Sequence, residues 1–211
     1  KTRLIKLENS FENGKILKEG IKTVIVGKPN AGKSSLLNNM LNEERAIVSD
    51  YAGTTRDTIE EFINIDGIPL KIIDTAGIRD TEDYVEKIGV KKAISLIKDA
   101  DLVIAIFDNS KKLDEEDYKI LEMIKNKKCI ILLNKCDLKE NNEETISYIS
   151  KLNKKALKAS MTTKKGIDEL YNEISKMFKQ NEIDYNDEII VTNIRHKNLI
   201  HKAIENVNRN Y

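Results

Sequence analysis

A segment that joins an apolar run to a helix-like run carries residues suited to binding a phosphate chain. Gly27 to Ser34 reads GKPNAGKS, fits G-x-x-x-x-G-K-S and directly follows the run TVIV. In this context backbone N–H groups at a helix N-terminus hold phosphates, the lysine reaches the β- and γ-phosphates, and the serine binds Mg²⁺. An asparagine in the middle of the loop is not needed for this, and it indicates an additional ligand. The predicted phosphate-binding residues are Asn30, Ala31, Gly32, Lys33, Ser34 and Ser35.

A second motif, Asn134-Lys135-Cys136-Asp137, follows the apolar run CIILL. It therefore lies at the carboxyl end of a buried strand, where open α/β sheets bind ligands. The Asp137 carboxylate can accept two hydrogen bonds from guanine, whereas adenine would leave it unpaired; such sites discriminate by roughly 10⁴-fold or more. Asn134 would tie the loop to the base, the stem of Lys135 would cover the ring, and Ser160 would complete the pocket.

Two further segments point to the γ-phosphate and to Mg²⁺. Asp74-Thr75-Ala76-Gly77 ends a strand-like run, and in phosphoryl-transfer sites such an Asp holds Mg²⁺ while the Gly N–H contacts the γ-phosphate. Thr54 and Thr55 offer hydroxyls in the irregular stretch before it, and Thr55 is the favoured Mg²⁺ ligand. A simple turn is the alternative for the threonine pair. Loops at the γ-phosphate are released on hydrolysis, as in nucleotide switches.

Composition excludes several classes of protein. The 211 residues carry a net charge of +1, which requires no nucleic-acid or membrane partner, and no apolar run approaches the length of a membrane span. The lysine pairs at 111–112, 127–128, 154–155 and 164–165 are interpreted as solvated faces. Two cysteines make no disulfide framework, which favours a reducing, cytoplasmic location. His196 and His201 are five residues apart and are not expected to form a metal pair on one helix face.

The order of elements predicts an α/β fold. Apolar runs alternate with helix-like runs from Ile21 onward, which predicts a mostly parallel six-stranded sheet with helices on both faces. Asp66-Gly67 between TIEEFINI and PLKIID predicts a tight hairpin and one antiparallel edge strand. A short helix is expected near 145–150, and longer helices over 85–98, 115–126 and 166–178.

Three regions are predicted along the chain. Residues 1–20 form an amphipathic helix that ends at Gly20 and belongs to a flanking helical domain. Residues 21–180 form the nucleotide-binding domain, and residues 181–211 are a connection followed by a second flanking helix. The chain starts at Lys1 and stops inside a helix-like pattern, so we expect a fragment of a longer protein.

The segments GKPNAGKS, GTTRD, DTAG and NKCD together resemble a guanine-nucleotide G domain. GKPNAGKSSLLN, RAIVSDYAGTTRDTIEE and IDTAGIRDTEDYVEKIGV, with the flanks GKILKEGIKTVIVG and TNIRH, resemble more closely the bacterial tRNA-modification GTPase family called TrmE or MnmE. In that family the G domain is inserted into a helical domain. Met161 stands in the base pocket where the family more often has alanine.

The resemblance implies GTP and GDP as ligands with Mg²⁺, and a role in modifying the wobble uridine of certain tRNAs. It implies a flavin-dependent partner, GidA or MnmG, and homodimerisation through G domains in the GTP state; no membrane is involved. Family members also carry an N-terminal folate-binding domain and a C-terminal cysteine motif, and neither is present in this sequence.

The resemblance also implies K⁺ in place of an arginine finger. Asn30 and backbone carbonyls of the loop Ile47–Gly53 would bind the ion, and Glu86 would orient the attacking water through a second water. The glutamine that some GTPases use after DxxG is here Ile78. The predicted catalytic residues are Asn30, Gly77 and Glu86. The rival is an arginine in cis, with Arg56 and Arg79 as candidates.

Two other functions compete with this prediction. Other Era-like GTPases share the loops but not the flanks, and such a chain would be a switch that docks on RNA or ribosomes with slow hydrolysis. A P-loop kinase is disfavoured by NKCD and DTAG.

Overall fold

The computed structural model describes residues 3–5, 7–8, 16, 19–42, 61–73, 89–139, 143–179 and 194–209. Within these residues, six strands form one sheet in the order β2-β3-β1-β4-β5-β6. β1 (Ile21–Val26), β4 (Leu102–Asp108), β5 (Cys129–Asn134) and β6 (Ala156–Lys158) run parallel. This confirms the predicted α/β fold with a mostly parallel, six-stranded sheet.

The sheet edge beyond β1 is a hairpin. β2 (Glu61–Ile65) pairs antiparallel with β3 (Ile68–Ile72), and β3 pairs parallel with β1. Asp66 and Gly67 connect them with φ angles of 51° and 87°, which are the angles that a two-residue hairpin turn needs. Asn64 Oδ1 accepts a hydrogen bond from Gly67 N at 2.8 Å. The predicted hairpin and its antiparallel edge strand are confirmed.

The central strands are apolar along their whole length because both faces of the sheet are covered. Every residue of β5 is buried, and so are the first six of β4. Successive side chains of a strand point to opposite faces. Val24 and Val103 accordingly pack in one apolar cluster, whereas Ile25 and Ile104 pack in another. Two separate cores therefore fix the sheet between its two helical layers.

Six helices follow one another from the phosphate-binding loop onward in the described part of the chain. They are α1 (Lys33–Leu41), α2 (Gly89–Asp99), α3 (Glu115–Ile124), α4 (Glu143–Lys151), α5 (Ile167–Lys179) and α6 (Ile194–Arg209). α4 extends beyond the predicted 145–150 at both ends. Its first turn is polar and therefore gave no apolar signal in the sequence, but acidic residues are favourable at a helix N-terminus. α3 stops at Ile124, two residues before its predicted end. No helix in this described part of the chain is long and apolar enough to cross a membrane.

Residues before the sheet are helical at each described position from 3 to 19. Gly20 ends this segment with φ 73°, and its N–H donates to the carbonyl oxygen of Ile16 at 2.9 Å, as in a left-handed helix cap. Ile16 packs against the core beside β1. Glu8 Oε1 lies 2.7 Å from His201 Nδ1 of α6, which joins the two flanking helices.

Candidate nucleotide-binding site

The loop after β1 needs glycine at two positions. Gly27 has φ 155°, and a Cβ added there would lie 2.4 Å from the carbonyl oxygen of Ile106. Gly32 has φ 110°, and a Cβ there would lie 2.2 Å from Asn134 Nδ2. The backbone therefore passes close to β4 and to the end of β5 before α1 begins at Lys33. This is the strand–loop–helix geometry that a phosphate-binding loop requires.

The ammonium of Lys33 lies inside this loop. Its Nζ donates to the carbonyl oxygens of Gly27 at 2.9 Å and of Lys28 at 2.8 Å. Burial lowers the pKa of the Lys33 ammonium. A phosphate chain in the loop would supply anionic oxygens for this part-buried cation. Ser34 and Ser35 follow in the first turn of α1, half-buried and exposed respectively.

Asn30 has a backbone reason for its place in the loop. Its φ is 60°, in the left-handed region that asparagine tolerates better than most residues. Its side chain is exposed, whereas the next residue, Ala31, is buried. The amide of Asn30 is therefore available at the loop surface, and its oxygen is a ligand of the kind that alkali cations take.

Asn134 connects three loops. It is 3% exposed, and its Nδ2 donates to the carbonyl oxygen of Ala31 at 2.8 Å. Its Oδ1 accepts from the backbone N–H of Met161 at 3.0 Å. One buried amide thus joins the phosphate-binding loop, the loop after β5 and the loop after β6. The sequence predicted that Asn134 would tie its loop to the base. Its side chain joins two other loops of the protein in the structure, and the contact with the base stays a prediction.

The loop after β5 presents Lys135 and Asp137. Lys135 has φ 65°, and its Nζ lies 2.6 Å from Asp108 Oδ2 at the end of β4. Burial alone would raise the pKa of the Asp108 carboxyl. Hydrogen bonds from Lys135 and Ser110 outweigh this effect and hold the pKa below its usual value. Asp137 is exposed at the same edge of the sheet. Asp108 therefore fixes the lysine stem that is expected to cover the base.

The loop after β6 completes this edge. Ser160 and Met161 are both buried, and Ser160 N donates to the carbonyl oxygen of Lys165 at 2.9 Å. Ser160 Oγ accepts from Thr163 N at 3.2 Å. Asn39 of α1 donates from Nδ2 to the carbonyl oxygen of Met161 at 2.9 Å. Met161 thus holds this loop against α1 and Asn134 through its backbone groups. The contacts of Ser160 with Thr163 and Lys165 lie within the loop itself.

Lys28, which the sequence did not single out, anchors the start of the phosphate-binding loop. Its Nζ forms ion pairs with Asp114, and with Asp117 at 2.9 Å. Asp114 caps α3 and Asp117 closes the reciprocal capping box, so the loop is tied to the N-terminus of α3. Burial alone would lower the pKa of the Lys28 ammonium. Hydrogen bonds to Asp114 and Asp117 outweigh this effect, so that the pKa is raised.

Several predicted site residues lie outside the residues that the structure describes. They are the switch residues Thr54, Thr55, Asp74, Gly77 and Glu86, the loop Ile47–Gly53, and Arg56, Ile78 and Arg79. Among the predicted residues that are described, the structure brings the loop of Asn30 to Ser35 together with Asn134 to Asp137 and with Ser160 and Met161.

The fold and this edge of the sheet define a P-loop GTPase domain. A family model described as 50S ribosome-binding GTPase matches residues 22–135. The chain belongs to this GTPase family, and the predicted resemblance to the tRNA-modification GTPases within it is confirmed by the relatives below. The chain therefore carries a GTPase domain with a guanine-nucleotide site.

Two similar proteins carry the same name. The tRNA modification GTPase MnmE of Finegoldia magna is 53% identical over 97% of this chain and 45% of that protein. The protein of the same name from Clostridioides difficile is 55% identical over 94% of this chain and 43% of that protein. The chain spans less than half the length of these curated relatives.

A solved structure supports the fold. The crystal structure of Era in complex with MgGDPNP and nucleotides 1506–1542 of 16S ribosomal RNA is similar, with a TM-score of 0.54 and 28% sequence identity. The match covers 81% of this chain and 60% of the Era chain.

Proposed function

We propose that this chain is the GTP-hydrolysing domain of a cytoplasmic tRNA-modification GTPase that acts on the wobble uridine of certain tRNAs. The observation that carries the proposal is the 53% and 55% identity to two proteins named tRNA modification GTPase MnmE, over nearly the whole chain. The three loops that meet at Asn134 support it, because they form one continuous edge on which a nucleotide can lie.

In this proposal each loop has one task. The ammonium of Lys33 would turn from backbone carbonyls to the β- and γ-phosphates. Ser34, Thr55 and Asp74 would hold Mg²⁺. The exposed carboxylate of Asp137 would accept hydrogen bonds from guanine, beside the stem of Lys135. The part-buried ammonium of Lys33, which contacts two backbone carbonyls of the loop, fits a polyanionic ligand, and this supports the assignment.

Hydrolysis would use K⁺ rather than an arginine. The ion would bind the Asn30 amide oxygen and carbonyls of the loop Ile47–Gly53, and would neutralise charge that develops in the transition state. Gly77 N–H would contact the γ-phosphate, and Glu86 would orient water through a second water. The exposed amide in the phosphate-binding loop and the presence of Ile78 where glutamine could serve support this proposal.

The ion and GTP together would join two G domains face to face across their switches. In the longer protein, a flavoprotein of the GidA or MnmG type and tRNA would be the partners. This chain would supply the nucleotide switch, and the modification chemistry would need other parts.

The second candidate is an Era-like switch that docks on RNA or ribosomes and hydrolyses GTP slowly. The similarity to Era, in a structure that contains ribosomal RNA, favours it as the alternative. Both candidates share the nucleotide site, so the cation dependence and the oligomeric state separate them.

The test is GTP hydrolysis in KCl and in NaCl at equal ionic strength, with sedimentation of the chain in GDP and a γ-phosphate mimic. We expect faster turnover in KCl, and dimers in KCl with monomers in NaCl. Equally slow turnover in both salts, with tight binding to ribosomal RNA, would replace the first candidate by the second.

A further inference from the structure

A lysine-rich cleft lies at the opposite edge of the sheet, where β5 and β6 begin. It has a volume of about 560 Å³. The pairs at 127–128 and 154–155 each directly precede a strand, and the two strands are parallel neighbours with Ile131 opposite Ala156. The pairs therefore meet at one edge of the sheet, whereas the sequence predicted only that they form solvated faces. The lysines that line the cleft are Lys125, Lys127, Lys128, Lys154 and Lys155.

Two of these ammonium groups are fixed by backbone carbonyls. Lys127 Nζ donates to the carbonyl oxygen of Lys98 at 2.5 Å, at the end of α2. Lys154 Nζ donates to the carbonyl oxygen of Lys127 at 2.8 Å. A carbonyl orients an ammonium group without neutralising it, so both positive charges remain at fixed positions beside the cleft.

The other three lysines are exposed. Lys155 lies 3.4 Å from Glu173, and Lys125 lies 2.6 Å from Glu122. Exposed ion pairs of this kind contribute about 0–1 kcal/mol, so an entering anion can replace the carboxylate. Lys128 Nζ lies 5.1 Å from the centre of the Phe178 ring. Among the lining residues that the structure describes, Glu173 is the one carboxylate against five lysines.

We propose that this cleft binds the phosphate backbone of RNA. Ammonium groups suit phosphate oxygens, and contacts to the backbone carry no base specificity. The choice of RNA rests on the proposed function in tRNA modification. The six residues of β5, at roughly 3.3 Å each, separate the cleft from Asn134. RNA in the cleft therefore leaves the nucleotide loops open.

Binding at such a site depends on salt. Each phosphate contact that is lost reduces the slope of log K against log salt by about 0.7 to 0.9. Removing two exposed lysines from the cleft should therefore make the slope shallower by roughly 1.5. Lys128 and Lys155 are the residues to change, because Lys127 and Lys154 bind carbonyls and support the fold.

The experiment measures the affinity of the chain for a fluorescent tRNA transcript over a series of NaCl concentrations. The variant is Lys128→Gln with Lys155→Gln. The matched control is Lys119→Gln with Lys112→Gln, because Lys119 is exposed like Lys128, and Lys112 has an exposed ion pair with Glu144. We expect a shallower slope in the cleft variant and the wild-type slope in the control.

Three outcomes would overturn the inference. They are no binding of the transcript to the wild type, an equal decrease of the salt slope in both double variants, or binding of polyglutamate to the wild type as tightly as the transcript. The KCl-to-NaCl ratio of GTP turnover and the affinity for GDP are measured on the same variants and should be unchanged. If the wild type hydrolysed GTP equally fast in KCl and NaCl, only the proposed function would be contradicted. The salt dependence of tRNA affinity does not depend on GTP turnover.

Discussion

Asn134 and Ala31 are 103 residues apart and are joined by a buried hydrogen bond of 2.8 Å from the Asn134 side chain to the Ala31 carbonyl oxygen. The same side chain accepts from Met161 N. The phosphate-binding loop and the base-binding loops therefore share one amide, so that a change at Asn134 reaches both ends of the nucleotide.

Asn134→Ala should weaken both stability and nucleotide binding. It leaves the Ala31 carbonyl and the Met161 N–H unpaired in a buried place, at a cost of about 1–3 kcal/mol for each group. Urea unfolding and GDP binding would measure the two effects. Asn38→Ala, at an exposed position of α1, is the control and should change neither. A stable Asn134→Ala variant with normal GDP affinity would show that the tie is not needed.

Lys28→Met should loosen the phosphate-binding loop from α3. It keeps most of the length of the side chain but leaves the buried Asp117 carboxylate without its cation, at a cost of about 1–3 kcal/mol in the free energy of unfolding. We expect weaker GDP binding as well, and partial rescue by Lys28→Arg. Lys155→Met, which breaks an exposed ion pair, is the control. Equal effects of the two methionine variants on GDP affinity would contradict a special role for Lys28.

The strands were predictable because their signals are local. β4 and β5 are uninterrupted apolar runs, and Asp66-Gly67 is a turn dipeptide, so each element is visible within a few residues of sequence. The first turn of α4 was missed because Glu143 and Glu144 carry no apolar period. Element type thus follows from short patterns, whereas helix ends depend on capping and on packing.

The contacts that support the site were less predictable because they join distant residues. Lys28 meets Asp114 across 86 residues, and Lys135 meets Asp108 across 27. The motifs name Lys135 and Lys33 but do not say which carboxylate holds the former. One signal was present: Asp108 ends the buried strand beside the strand that carries the base motif. The contact between Asp108 and Lys135 can be predicted once those two strands are known to be neighbours.

Asn30→Gly should separate the two possible roles of this residue. Glycine accepts φ 60° without strain, so it keeps the loop backbone and removes only the amide. If the amide binds K⁺, GTP turnover in KCl should fall to the rate in NaCl while GDP affinity is kept. Asn30→Lys should make turnover indifferent to K⁺, because an ammonium lies near the place of the ion. Full K⁺ stimulation in Asn30→Gly, with loss of turnover in Arg56→Ala or Arg79→Ala, would favour an arginine instead.

The most direct test of the nucleotide site is the base preference of Asp137→Asn, measured as GTP and XTP affinity side by side. The amide presents a donor where the carboxylate presents an acceptor, so preference should move from guanine to xanthine. A site of this kind discriminates by roughly 10⁴-fold, so the change should be large. Asp99→Asn, at an exposed position of α2, should keep the wild-type preference. Unchanged GTP affinity in Asp137→Asn, without any gain for XTP, would contradict the account.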